Sequence, residues 1–196
     1  MYSFVRDIIK SVEPIQDTIF GPRYRCSLTL KDGTFLPCAV LQSRERLVEL
    51  AKRRIKEEMS LKGVIGMPDP YGDIVRSFVS HGNRINDYDV SSASESKYAI
   101  PLPLLSQIEG ETMMGWTGWV FKMKDGTFFS YGSTFHFEFF QLPEGHAFSD
   151  IREVINHSFV DSTGAVRSLK NSGPKEYSIE TVFRERVFFD CAVDGI

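Results

Sequence analysis

His136 and Glu138 alternate with phenylalanines in the run Phe135, His136, Phe137, Glu138, Phe139, Phe140. In a strand, residues two apart share a face and their side chains stand about 7 Å apart. On that reading an imidazole and a carboxylate project into one space, which is half of a metal site or an acid–base pair. Zinc needs three or four ligands, and His146, Asp150, His157 and Asp161 downstream follow no tight spacing such as His-Glu-x-x-His. No metal is expected. The plainer alternative is a polar solvent face opposite an aromatic core face.

His81, Arg84 and Asp87 form a second group, gathered with Asn83, Asn86 and Asp89 behind an expected strand at residues 74–80. Loops on a rigid scaffold often carry sites. Asp87 and Asp89 do not make a calcium loop, because the twelfth position counted from Asp87 is Tyr98 rather than a bidentate glutamate. The same Asn and Asp residues also build turns by bonding their own backbone. The third candidate is Trp116, in Trp116-Thr117-Gly118-Trp119. If Trp119 faces inward with Phe121, Trp116 shares the opposite face with His136 and Glu138 and roofs a polar pocket there. His81, Arg84, Asp87, Trp116, His136 and Glu138 are therefore the expected ligand-binding residues, and no catalytic residue is assigned.

Covalent and nucleotide chemistry leave no trace in the sequence. Gly-x-Ser-x-Gly, Gly-x-Gly-x-x-Gly and the Gly-Lys-Ser/Thr phosphate loop are all missing, so no cofactor is expected. The three cysteines, Cys26, Cys38 and Cys191, are an odd number in apolar runs without Cys-x-x-Cys spacing. They read as reduced, buried side chains of a cytoplasmic protein. A net charge of −3 is too mild for a nucleic-acid binder. The basic segment Lys52-Arg53-Arg54 with Lys56 is interleaved with glutamates at helical pairing distance. No apolar run of 18 residues exists, and Arg6, Asp7 and Lys10 interrupt the first twelve residues, so neither a membrane span nor a signal peptide is expected.

The elements that must position these residues follow from spacing. Phe4, Val5, Ile8, Ile9 and Val12 predict an amphipathic helix over residues 1–12, stopped before Pro14. Lys-Asp-Gly-Thr-Phe occurs at residues 31–35 and 124–128, each time between alternating runs. Only a three-residue loop with Gly33 or Gly126 in the left-handed region keeps one apolar face intact. It pairs Leu30 with Thr34, Leu28 with Leu36, Cys26 with Cys38 and Tyr24 with Val40. In the second copy it pairs Met123 with Thr127, Phe121 with Phe129 and Trp119 with Tyr131.

A helix capped by Ser43, with Leu47, Leu50, Ala51, Ile55 and Met59 inward and Gly63 beyond its end, follows the first hairpin. A shorter one, capped at Ser149, follows the second, so residues 24–62 and 116–157 read as a weak internal duplication. The serine-rich stretch 91–96 reads as a mobile loop, and Pro101 and Pro103 confine residues 102–108 to a helical turn or an extended connection. The alternation over residues 177–193 is too long for one strand and must break near 184–186.

These elements predict one α+β domain over residues 1–196. Its sheet is twisted, mainly antiparallel and six to eight strands wide, with helices mostly on one face. Of 16 phenylalanines, seven fall between residues 121 and 140. Aromatic excess over one sheet predicts a non-catalytic binding or protein-interaction domain for a protein partner or a small apolar ligand. A homodimer is one way to cover such a face. The alternative is a hydrolase or metal-assisted enzyme using His136 and Glu138 with His81 and Asp87.

Overall fold

Both Lys-Asp-Gly segments close three-residue loops in the computed structural model, which describes residues 2–60, 82–134, 136–169 and 182–196. The N–H of Leu30 donates to Thr34 O at 2.8 Å, and that of Met123 to Thr127 O at 2.8 Å. Gly33 and Gly126 sit at φ +88° and +91°, a region that side chains with a Cβ rarely adopt. In each turn the aspartate accepts the threonine N–H at 2.9 Å. The expected pairs Leu28 with Leu36, Phe121 with Phe129 and Trp119 with Tyr131 all form. A bulge between Cys26 and Leu28 shifts the rest of the first hairpin, so Cys26 faces Ala39 and Tyr24 faces Leu41 rather than Cys38 and Val40.

The chain is mixed α+β with mainly antiparallel sheets. The described residues divide into two compact units, 1–97 with 188–196 and 98–187, each with its own apolar cluster. The first unit holds α1 (Ser3–Ser11), β1 (Ile15–Asp17), β2 (Gly21–Leu30), β3 (Phe35–Ser43), α2 (Arg44–Ser60), β4 (Arg84–Ile85), β5 (Val90–Glu95) and β12 (Phe189–Val193). Its sheet runs β1-β2-β3-β12-β4, with β5 also on β2. Phe4, Val5 and Ile8 of α1 pack on Cys26, Leu28, Ala39, Leu41, Cys191 and Val193. A fully buried leucine such as Leu28, 0% exposed, contributes about 1.5–3 kcal/mol. The N–H of Arg46 donates to Ser43 Oγ at 3.3 Å, the expected cap of α2.

The second unit holds α3 (Leu102–Leu105), β6 (Thr117–Met123), β7 (Phe128–Ser133), β8 (Ile151–Asn156), β9 (Ser158–Val160), β10 (Val166–Ser168) and β11 (Phe183–Arg184). Trp119, Phe121, Tyr131 and Phe140 form the centre of its core, with Leu104 and Leu105 of α3 against them. The sheet order is β11-β7-β6-β8, and β9 and β10 make a separate hairpin. The α3 turn is the one expected from Pro101 and Pro103. The break in the last alternation falls between β11 and β12.

Two segments differ from expectation. The helix expected after Ser149 is strand β8, because Ile151, Val154 and Ile155 find partners along the free edge of β6. The serine stretch is strand β5, because its hydroxyls bond the sheet. Ser91 Oγ donates to Thr29 O at 2.9 Å, Ser94 Oγ lies 2.9 Å from Ser27 Oγ, and Ser96 Oγ donates to Pro37 O at 2.6 Å.

As a result the two sheets are wired alike. Each hairpin lysine donates its N–H to an aspartate carbonyl at 2.8 Å, Lys31 to Asp89 and Lys124 to Asp150. Each aspartate ends a single turn of 3₁₀ helix, and a third strand leaves from it. Leu30 pairs with Val90 and Met123 with Ile151. After one irregularity Thr29 pairs with Ser92 and Lys122 with Glu153. A fourth strand, β12 or β11, runs parallel to the second strand of the hairpin.

The expected strand at residues 74–80, His81, Phe135, Gly63, the side chain of Met59 and the start of the last alternation lie outside the described residues. No helix among the described residues is long and apolar enough to cross a membrane.

Candidate functional site

The expected row on the second sheet does not form. Ser133, fully buried, ends β7 by donating its Oγ to His136 O at 2.6 Å and accepting the His136 N–H at 2.9 Å. One hydroxyl thereby satisfies both backbone groups that a continuing strand would pair, and residues 136–138 are not strand. Alternation is lost with it. Phe139 and Phe140 are both 0% exposed, and Phe140 packs on Trp119. Glu138 is buried while the His136 ring is exposed, with His136 Nδ1 and Glu138 Oε2 3.9 Å apart.

Trp116 is also not an exposed roof. It is 9% exposed and its ring lies flat over Gly132, where an added Cβ would overlap it. Arg184 stacks on the indole at 4.6 Å. The rest of that face is covered by β9 and its neighbours. The N–H of Val160 donates to Ser130 Oγ at 2.7 Å, and a Cβ on Gly118 would meet Leu169 Cδ1 at 2.5 Å. The aromatic excess is therefore core on one face and self-covered sheet on the other.

A constellation that spacing did not reveal lies at the β8–β9 turn. His157 Nε2 is 3.0 Å from Glu109 Oε2, and its Nδ1 is 2.9 Å from Thr112 Oγ. A carboxylate only accepts, so Nε2 carries a proton and donates it to Glu109. Hydroxyl, imidazole and carboxylate in that order is the arrangement that activates a nucleophile. Its neighbours show a different use. Asn156 Nδ2 donates to Gln107 O at 2.8 Å and accepts the Glu109 N–H at 3.0 Å, so both residues clasp the 107–112 segment. His157 holds φ +51° to reach it. Spacing could not find this group, whose members lie 45 and 48 residues apart.

Arg84 and Asp87 both lie in the first unit. Strand β4 is short and parallel to β12, which places Arg84 beside Asp190 and leaves the following turn, residues 86–88, over the start of α2. Arg44, the first residue of α2, donates Nη2 to Asp87 Oδ2 at 2.5 Å and to Ala192 O at 2.9 Å, and its Nη1 lies 3.4 Å from Asp194 Oδ2. Burial works against the charge on Arg44, but the hydrogen bond and charge of Asp87 outweigh it and raise its pKa. Asp87 is 6% exposed, so Arg44 is a strut that neutralises a buried carboxylate and ties α2 to β12.

Beside the strut opens a cleft of about 360 Å³. One wall is Leu47, Val48 and Ala51, one helical face of α2. The other is Arg84, Ile85, Asn86, Asp87 and Tyr88, with Ala192 between them. Val48 and Tyr88 are 45% and 58% exposed, large apolar groups left at its rim. No family model, curated protein or solved structure matches this chain. The cleft's own chemistry is therefore what bears on function. Its polar groups are unequal. Arg44 is committed to protein acceptors, whereas Arg84 has a buried Nε without a hydrogen-bond partner and no ion pair among the described residues.

Of the six expected binding residues, Arg84 and Asp87 share this cleft. His136, Glu138 and Trp116 belong to the second unit, and His81 lies outside the described residues. The sequence missed Arg44, Leu47, Val48, Ala51 and Tyr88. Leu47 and Ala51 were legible only as part of a helix face, and nothing in the sequence showed what that face would meet.

Proposed function

We propose that the protein is a non-catalytic binding protein whose ligand occupies the cleft between α2 and residues 84–88. The supporting observation is a concave site of small-molecule size. Apolar side chains line it together with a few polar groups, Arg44, Arg84, Asn86 and Asp87, and the exposed Tyr88 adds an aromatic ring. The sheet face offered by the sequence to a partner or a second copy carries β9, Leu169 and Trp116 of the same chain. The enzyme alternative keeps one observation, His136 Nδ1 and Glu138 Oε2 3.9 Å apart, with no third metal-ligating group gathered beside them among the described residues.

N-phenyl-1-naphthylamine, an uncharged aryl probe that fluoresces in apolar sites, tests the reading. Saturable binding at one site per chain is expected, weakened at least ten-fold by Ala51→Trp, which fills the cleft, and by Val48→Asp, which charges its wall. No saturable binding, or binding indifferent to both substitutions, would show that the cleft is not a ligand site.

A further inference from the structure

We infer that the ligand of this cleft is a monoanionic amphiphile: an aryl or alkyl body carrying one carboxylate-type or sulfonate-type group, with the anion held by Arg84. The inference rests on the cleft being the ligand site and adds the charge of what it takes. Two arginines line the cleft, and only one is available. The Arg44 guanidinium is spent on Asp87, Ala192 O and Asp194. Arg84 is half-buried in the cleft wall and has no ion pair among the described residues.

The Nη groups of this guanidinium are the part open to an acceptor, and a charge-assisted bond to them is of the stronger kind. A planar anion supplies two acceptors in the geometry of the guanidinium fork. Asp190 is the register partner of Arg84, and its Oδ2 accepts from Asn83 Nδ2 at 3.3 Å. One guanidinium holds one planar anion, whereas a polyphosphate or a nucleic-acid backbone needs several cations. The body of the ligand then lies along Leu47, Val48, Ala51 and Ile85, with the Tyr88 ring as its outer cover.

The test pairs two probes that share one aryl body. 1-Anilinonaphthalene-8-sulfonate carries a sulfonate, and N-phenyl-1-naphthylamine does not. Arg84→Gln is expected to weaken the sulfonate probe about ten-fold or more, the size of one charge-assisted contact, and to leave the neutral probe within about two-fold. Arg84→Lys, which keeps the charge without the fork, should recover part of the loss. Equal effects of Arg84→Gln on both probes would overturn the inference while Val48→Asp still weakened both and so upheld the cleft. Binding of both probes unaltered by Val48→Asp and Ala51→Trp would instead remove the reading beneath it. Competition by inorganic triphosphate stronger than that by benzoate would also overturn the single-anion assignment.

Discussion

Trp116 shows how a single residue escapes a pattern. An inward Trp119 puts Trp116 on the opposite face of the sheet, and the ring is indeed on that face. It is buried because Gly132 and Gly118 carry no Cβ and so let other side chains lie against the sheet. Gly132→Ala is expected to destabilise the protein by about 1–3 kcal/mol, the usual cost of overpacking. Its effect should shrink in a Trp116→Ala background, as measured by urea unfolding; additive effects would show that the ring is not the obstacle. The Arg44 strut makes a second prediction at this scale. Arg44→Ala leaves Asp87 without its counter-charge and should cost about 1–3 kcal/mol, less than a fully buried pair because Arg44 is 40% exposed. A change within about 0.5 kcal/mol would mean that water replaces the guanidinium.

Turns were the most legible elements because their chemistry is local. Lys-Asp-Gly needs only a left-handed glycine and an aspartate that accepts the N–H two residues on, and both copies do this in the same way. Asp161, Thr163 and Gly164 form a third such turn between β9 and β10, whose signal lay unread in Ser162-Thr163-Gly164. Strands β5 and β8 were illegible for the opposite reason. A serine run and a short apolar segment become strands only because β2 and β6 offer them edges, which is a tertiary fact.

The turns predict an acid response. Hydrogen bonds from Thr34, Thr127 and Thr163 hold Asp32, Asp125 and Asp161 below the usual carboxylate value of 3.8. Each therefore adds stability at pH above about 4 that is lost as pH falls through its lowered folded value. The triple variant Asp32→Asn, Asp125→Asn, Asp161→Asn keeps an acceptor but does not titrate. Its melting temperature should fall less than that of the wild type between pH 5 and pH 2; parallel curves would mean that the turns play no part in acid unfolding.

At the scale of the molecule, the sequence showed α+β character and a repeat but not two cores. Alternation identifies an apolar face without saying which sheet it joins. The last segment supplies one strand to each unit, β11 to the second and β12 to the first, and no local signal assigns them. All three cysteines lie in the first unit, at 0%, 2% and 0% exposure, and burial pushes the Cys191 thiol up to about 12. A thiol reagent at pH 8 should therefore label none of them in the native state and all three in guanidinium. Val193→Ala, which loosens β12 in the same core, should speed native-state labelling.

The most direct measurement for the cleft is a ¹H–¹⁵N correlation spectrum titrated with 1-anilinonaphthalene-8-sulfonate. Saturable shifts centred on residues 44–51, 84–88 and 192 are predicted, and they should be absent in Ala51→Trp. Shifts centred instead on Trp116, His136 and Glu138, or no saturable shifts at all, would contradict the assignment of the cleft as the ligand site.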